Sequence, residues 1–244
     1  MIDLEGVSKS FDRAVLSNVE LHVPPNCLFG LIGPGASGKS LLLRMITGLM
    51  RPDEGKVTVG GQDVLAMGDL ELHAYRKGIG MLFQNNALFD FMTVAENIAF
   101  PLRRLFDLPE TEIAERVAER LGRVDLPGFE GRLPAGLSGG QKKRVGVARA
   151  TVSRAPIVLY DEPAAGLDPV TSQKIFDLLR AEQRAAKSTV IMVSSDLDRL
   201  LTVTDRIGMM LGGRLIFEGT TEEAKNAPDP RVYQFVHGKP DGPL

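Results

Sequence analysis

Cysteine is almost missing from this chain: Cys27 is the only one, so no internal disulfide can form and a reducing compartment fits. Cys27 itself reads as a small buried hydrophobe in a strand. Net charge is almost missing too. With 29 Lys and Arg against 31 Asp and Glu, no overall field draws the chain toward DNA or RNA. Long apolar runs are lacking. The most apolar stretch, 41–50, carries Arg44 and falls far short of the ~20 residues that span a bilayer. The start, Met1-Ile2-Asp3-Leu4-Glu5, has an early acid and no apolar h-region, which argues against a signal peptide. Any service to a membrane is therefore expected from its cytoplasmic face, through a partner. His22, His73 and His237 lack ligand spacing to one another and are assigned no metal. Internal repeats and low-complexity runs are not found.

What is present is ordinary globular material: 244 residues, 43% apolar, enough for one substantial core with a smaller subdomain inserted. Residues 16–23 alternate apolar and polar and read as a strand. The unbroken apolar run Leu28–Ile32 reads as a strand buried on both faces. A helix is expected from Lys39, with Leu42, Met45 and Ile46 on its apolar side. Residues 56–59 before Gly60-Gly61, and 207–217 around Gly212-Gly213, read as hairpins of an antiparallel sheet beside a parallel core. From 85 to 153 helices take over, with Pro109 at a helix start and Ile113, Val117 and Leu121 on one face. Strands at 157–160 and 189–193 flank a helix over 170–185, a parallel crossover unit. A tail begins near Thr220, with a short helix near 231–236.

The first chemical motif is Gly33-Pro34-Gly35-Ala36-Ser37-Gly38-Lys39-Ser40, a G-x-x-x-x-G-K-[ST] run between a strand and a helix. Glycines let the backbone curl so that successive N–H groups point at phosphate oxygens, and the helix start adds partial positive charge. Lys39 is positioned to reach β- and γ-phosphates, and the Ser40 hydroxyl to ligate Mg²⁺. A chance match to four fixed positions arises on the order of once in 100 such chains, and the strand–loop–helix context lowers that further.

The second motif is Asp161-Glu162, at the end of the apolar run 157–160. Neighbouring side chains at a strand end project differently, so the two acids can divide the work. Asp161 suits Mg²⁺, and Glu162 suits polarising an attacking water. Alone, Asp-Glu-Pro is common loop punctuation; beside a phosphate loop the chemical reading prevails.

Residues 137–141, Leu137-Ser138-Gly139-Gly140-Gln141, complete a resemblance to the ABC-transporter ATPases, covering Met1 to about Gly219. LSGGQ is that family's signature, and it stands roughly 20 residues ahead of the acid pair. Its physics is again an anion-binding helix start. The resemblance implies an α/β fold: a P-loop NTPase (RecA-like) core of residues 1–84 and 154–220, an antiparallel β subdomain, and an α-helical signature subdomain inserted at 85–153. A C-terminal tail, 221–244, would follow. It implies ATP and Mg²⁺, and a head-to-tail homodimer in which the signature of one copy meets the γ-phosphate held by the other. By the same resemblance Gln84 is the Q-loop residue that touches Mg²⁺ or water. Asp168 lines the dimer interface, and Phe11 stacks on adenine, with a core aromatic at a strand end as the alternative for Phe11. The run Lys142-Lys143-Arg144 reads as a solvated first helical turn.

One position departs from the family. After the strand 189–193 the family places a histidine that bonds the γ-phosphate; here Ser194-Ser195-Asp196 puts Ser195 there. Serine offers one shorter donor and cannot become cationic, so slow but nonzero hydrolysis is expected, with Glu162 and Lys39 retained.

Residues 81–102 and 226–235 further resemble the ATPases of Mla-type bacterial lipid transporters. That likeness implies phospholipid or related lipid as cargo, an integral-membrane permease, a periplasmic lipid-binding component, and a place on the cytoplasmic face of the inner membrane. In that family the tail helps hold the ATPase pair together. Leu88, Phe89, Phe91 and Met92 fit either a partner-contact surface or the core of the insertion. Two other functions stay open: a nucleotide-gated scaffold with little hydrolysis, and an importer of another substrate. A soluble ABC ATPase acting on DNA or ribosomes is disfavoured by the single ATPase unit and the absence of a basic arm.

Overall fold

The computed structural model describes residues 1–244. Its strands are β1 (Ile2–Ser10), β2 (Ala14–Val23), β3 (Leu28–Ile32), β4 (Glu54–Val59), β5 (Gln62–Asp63), β6 (Ile79–Leu82), β7 (Ile157–Asp161), β8 (Thr189–Val193), β9 (Arg206–Leu211) and β10 (Arg214–Thr220). Its helices are α1 (Lys39–Ile46), α2 (Asp69–Arg76), α3 (Val94–Leu105), α4 (Glu110–Arg123), α5 (Gly139–Thr151), α6 (Pro169–Ala186), α7 (Leu197–Val203), α8 (Thr221–Lys225) and α9 (Pro230–Val236). None is long and apolar enough to cross a membrane.

The chain forms two compact units, Met1–Gly68 with Thr189–Leu244, and Asp69–Ser188. In the first, β2, β1, β4 and β5 make an antiparallel sheet in which Ile2 pairs with both Val23 and Val59. Beside it, β3 runs parallel to β8 and to β9. All residues of β3 and β8 are buried, which is why their sequences are unbroken apolar runs rather than alternating ones. The hairpin at 207–217 differs from expectation. Its strands β9 and β10 are antiparallel to each other, yet β9 joins β3 in the parallel sheet, because 207–210 are buried throughout. The tail belongs to this unit, with Ala224, Val232 and Val236 buried.

In the second unit β6 and β7 pair in parallel, from Ile79 opposite Ile157 to Leu82 opposite Tyr160. Helix α5 lies against β6, and α3, α4 and α6 pack on α5. Strands β6 and β7 and helix α6 lie in the same compact unit as the helical segment 85–153. A buried ion pair between Arg120 of α4 and Glu182 of α6, shared with Arg123 at 3.2 Å, fastens that arrangement. Removing one partner of such a pair costs about 3–5 kcal/mol.

The approach of α5 to β6 depends on small residues. A Cβ on Gly80 would sit 2.0 Å from the Ala150 carbonyl oxygen, and one on Gly146 would sit 2.6 Å from Leu82 Cδ1. Gly80→Ala is expected to destabilise the chain by about 3 kcal/mol, the upper end of overpacking costs, because the obstacle is backbone. Denaturant unfolding checks this; a midpoint equal to the parent's would mean that α5 does not lie this close to β6.

Candidate functional site

The phosphate loop leaves the end of buried β3 and enters α1. Gly33 has φ 138°, and a Cβ there would meet the Met210 carbonyl oxygen of β9 at 2.1 Å, so only glycine permits this turn. Ala36 also lies in the left-handed region, φ 57°, where a non-glycine residue is held by its surroundings. Helix α1 begins after Gly38 with no side-chain cap, leaving its positive end for another acceptor. The Lys39 ammonium bends back over the loop, donating to the carbonyls of Gly33 (2.8 Å) and Pro34 (2.7 Å) and to Ser37 Oγ (3.1 Å). Gly35 is exposed, Ser37 is buried, and Ser40 is half-buried. A cation held over a curled, glycine-built loop at an uncapped helix start is a phosphate-binding arrangement.

Two more predicted residues lie in this unit. Phe11 follows β1 in the turn to β2 and is 60% exposed, so the core reading of this aromatic is excluded. Lys9 Nζ stands 5.6 Å from its ring centre. Ser195 follows β8 and is exposed. Its neighbours fix the turn: Ser194 Oγ accepts from the Asp196 N–H at 3.1 Å, and Asp196 caps α7 through the Arg199 N–H.

The second unit carries the acid pair and the signature. Asp161 ends β7 and is buried; Glu162 follows, half-buried, with φ 50°. The signature opens α5 as expected. Ser138 is the N-cap, its hydroxyl accepting from the Gln141 N–H at 3.3 Å while Gln141 Oε1 accepts from the Ser138 N–H at 2.9 Å. This reciprocal box holds Ser138 at the helix tip. Leu137 is buried beneath it, Ser138 and Gly139 are exposed, and Gly140 packs beside Thr171 of α6. Asp168 caps α6, with Oδ1 accepting from the N–H groups of Val170 (3.0 Å) and Thr171 (2.9 Å). Its bonds to Thr171 hold this exposed carboxyl below its ordinary pKa.

Gln84 is exposed just beyond β6. The segment after it is pinned from the inside. Asn97, fully buried on α3, donates through Nδ2 to the carbonyls of Phe89, Met92 and Thr93 and accepts from the Phe89 N–H at 2.8 Å. Between this segment and α5 lies a groove of about 320 Å³, lined by Met81, Phe83, Phe89, Phe100, Pro101 and Arg149 among others. Phe91, with its ring centre 5.9 Å from that of Phe89, is 78% exposed.

One expectation is overturned. Lys142 and Arg144 are half-buried, but Lys143, the middle of the basic run, is only 4% exposed. Its Nζ donates to the carbonyls of Gln84 (2.6 Å) and Glu162 (3.0 Å). Burial pushes the ammonium below the usual lysine pKa, and the nearby Glu162 and Asp161 carboxylates push it back up. Sequence reasoning missed Lys143, Asn97 and Arg149. Only the Thr93/Glu96 capping box ahead of α3 left a readable signal, as T-x-x-E.

Comparison with known proteins identifies the family. Residues 16–165 match the family described as ABC transporter. The chain is 42% identical to the methionine import ATP-binding protein MetN of Caulobacter vibrioides, over 91% of this chain and 68% of the relative. It is 36% identical to the intermembrane phospholipid transport system ATP-binding protein MlaF of Haemophilus influenzae, over 97% and 89%. It is likewise 36% identical to the probable ribonucleotide transport ATP-binding protein mkl of Mycobacterium tuberculosis, over 100% and 68%. Among solved structures, the dimeric post-hydrolysis ATP-binding cassette MJ0796 bound to ADP and Pi superposes with a TM-score of 0.84 at 31% identity, covering 91% of this chain and 99% of that one. The Clostridium perfringens cbiO1, part of the transporter complex cbiONQ, gives 0.84 at 26% identity, covering 98% and 95%. The chain therefore belongs to the ABC-transporter family, as one of its ATP-binding, ATP-hydrolysing subunits.

Proposed function

We propose that this subunit powers the movement of a lipid, phospholipid first among candidates, through a membrane permease. The observation that carries this reading is the extent of one match. The relative named for intermembrane phospholipid transport is matched over 89% of its own length, against 68% to 75% for those named for methionine and ribonucleotide. Residues 221–244, outside the catalytic motifs, fall within that reading as an extension that steadies a homodimer.

Each motif then has a task. The loop Gly33–Ser40 holds the phosphates of ATP, Phe11 stacks on the adenine, and Ser138 with Gly139 and Gly140 reaches the γ-phosphate held by a second copy. Asp168 lines that interface. Ser40, Gln84 and Asp161 supply oxygens suited to Mg²⁺, which would neutralise phosphate charge. Glu162 accepts a proton from the attacking water, and Ser195 offers a hydroxyl to the γ-phosphate. Because ATP favours only the closed pair, its binding drives closure and its hydrolysis allows reopening. The groove beside Phe89 and Phe100 suits the permease, and in this reading the subunit works from the cytoplasmic face of a bacterial inner membrane. A periplasmic lipid-binding component would act indirectly.

A second reading, an importer of a small substrate such as methionine, is favoured by the 42% identity. Purifying the subunit on its membrane partner separates the two. The lipid reading expects co-purified phospholipid and ATPase activity that lipid stimulates. A partner free of lipid, stimulated instead by an amino acid, would replace this reading with the second.

A further inference from the structure

We propose that Lys143 is a positioning residue for hydrolysis, tying the segment that follows β6 to the catalytic carboxylate through two backbone carbonyls. The proposal rests on the role given above to Glu162.

Glu162 carries the first part of the argument. Its φ of 50° places a residue with a full side chain in the left-handed region, at a cost of roughly 1–2 kcal/mol. Such a conformation persists where surrounding groups fix it. Two donors meet its carbonyl: the Lys143 ammonium at 3.0 Å and the Ala165 N–H at 3.3 Å. The direction of the Glu162 side chain follows from that backbone setting, so the ammonium helps aim the carboxylate without touching it.

The second part is at the other end of the same ammonium. Gln84 is exposed, yet its carbonyl turns inward and accepts from Lys143 at 2.6 Å. Two residues on, Asn86 and Ala87 are both left-handed, at φ 61° and 50°. Arg149 donates to both of their carbonyls, at 2.7 Å for Ala87. Lys143 and Arg149 both stand on α5, whose tip is the signature. One rigid helix therefore holds the backbone of residues 84–87 along its side and the backbone of Glu162 near its start. A displacement of residues 84–87 by a membrane partner reaches Glu162 through a single side chain.

The cost of burial supports a specific role. An ammonium taken out of water loses several kcal/mol unless its donors are met, and an apolar residue would fill the space more cheaply. A lysine at this depth is accounted for by the two carbonyls it joins.

The test is Lys143→Met, which keeps the length and removes the donors, with Lys143→Arg as the rescue. Turnover of Lys143→Met at saturating ATP is expected to fall 10- to 100-fold, the scale of an ångström-sized misplacement of a reacting group, with the KM for ATP within about threefold. Lys143→Arg should recover most of that loss. In parallel, backbone hydrogen exchange without nucleotide should speed up in 84–87 and 162–165 of Lys143→Met, and stay at parental rates in α6. Unchanged exchange in those two segments, or turnover within about twofold of the parent, would overturn the proposal. So would exchange that rises throughout the chain, which marks a general packing defect. If the parent itself does not hydrolyse ATP, the role of Glu162 fails, and the exchange comparison still decides on Lys143.

Discussion

Glu162→Gln is expected to lower ATP turnover by about 10²–10⁴-fold, the usual contribution of a positioned general base, while leaving ATP binding intact. The substitution is nearly isosteric. The amide can still accept a hydrogen bond from water, but it cannot take a proton at neutral pH. In the proposed site phosphate binding is the task of residues 33–40, in the other compact unit, so nucleotide affinity should hold. The backbone at 162 is left-handed with either side chain, and the melting temperature should move little. A chain that binds ATP and cannot consume it should accumulate in the closed pair. Size-exclusion chromatography with and without ATP and Mg²⁺ reads this directly, alone or on the membrane partner. Parent-like turnover would remove Glu162 from the chemistry. Monomers in ATP would remove the two-copy site built on Ser138. A parent already as slow as Glu162→Gln would favour the nucleotide-gated scaffold over a working ATPase.

The parts of this protein that were legible in its sequence are those whose physics is local. The strands Leu28–Ile32 and Thr189–Val193 announce themselves because burial on both faces demands unbroken apolar runs. The phosphate loop does so because a backbone that turns inward needs glycine, as the contact between Gly33 and Met210 shows. The signature is readable as a capping box, Ser138 with Gln141. What stayed hidden depends on residues far apart in the chain. Strand β6 contains Gly80, a poor strand former, present because the Ala150 carbonyl of α5 comes in against it. Lys143 sits in a basic run that looks like a solvated turn. Its acceptors, Gln84 and Glu162, stand 59 and 19 residues away, and nothing in a short window shows them. Glu182 reads as one more charge on a helix, yet it is buried against Arg120.

In the proposed site, residue 195 bears on how fast this subunit works. Ser195→His is expected to raise turnover at saturating ATP, by 10-fold or more and up to the 10²–10³-fold that one donor to transition-state charge commonly carries. Histidine reaches further than serine and offers a ring N–H, charged or neutral. Caps in the turn around it come from its neighbours: Ser194 holds the Asp196 N–H, and Asp196 holds α7 through the Arg199 N–H and guanidinium. The new side chain would therefore project from an intact turn at an exposed position. Ser195→Ala completes the comparison. If the hydroxyl donates to the γ-phosphate, alanine should be slower than serine, and serine slower than histidine. Equal rates for all three would mean that the γ-phosphate takes its donors from Lys39 and Ser138 alone. The departure at 195 would then set no limit on turnover. A graded series would mean that residue 195 acts on hydrolysis rather than on ATP-driven closure, since in the proposed site closure depends on contacts at Ser138 that all three variants share.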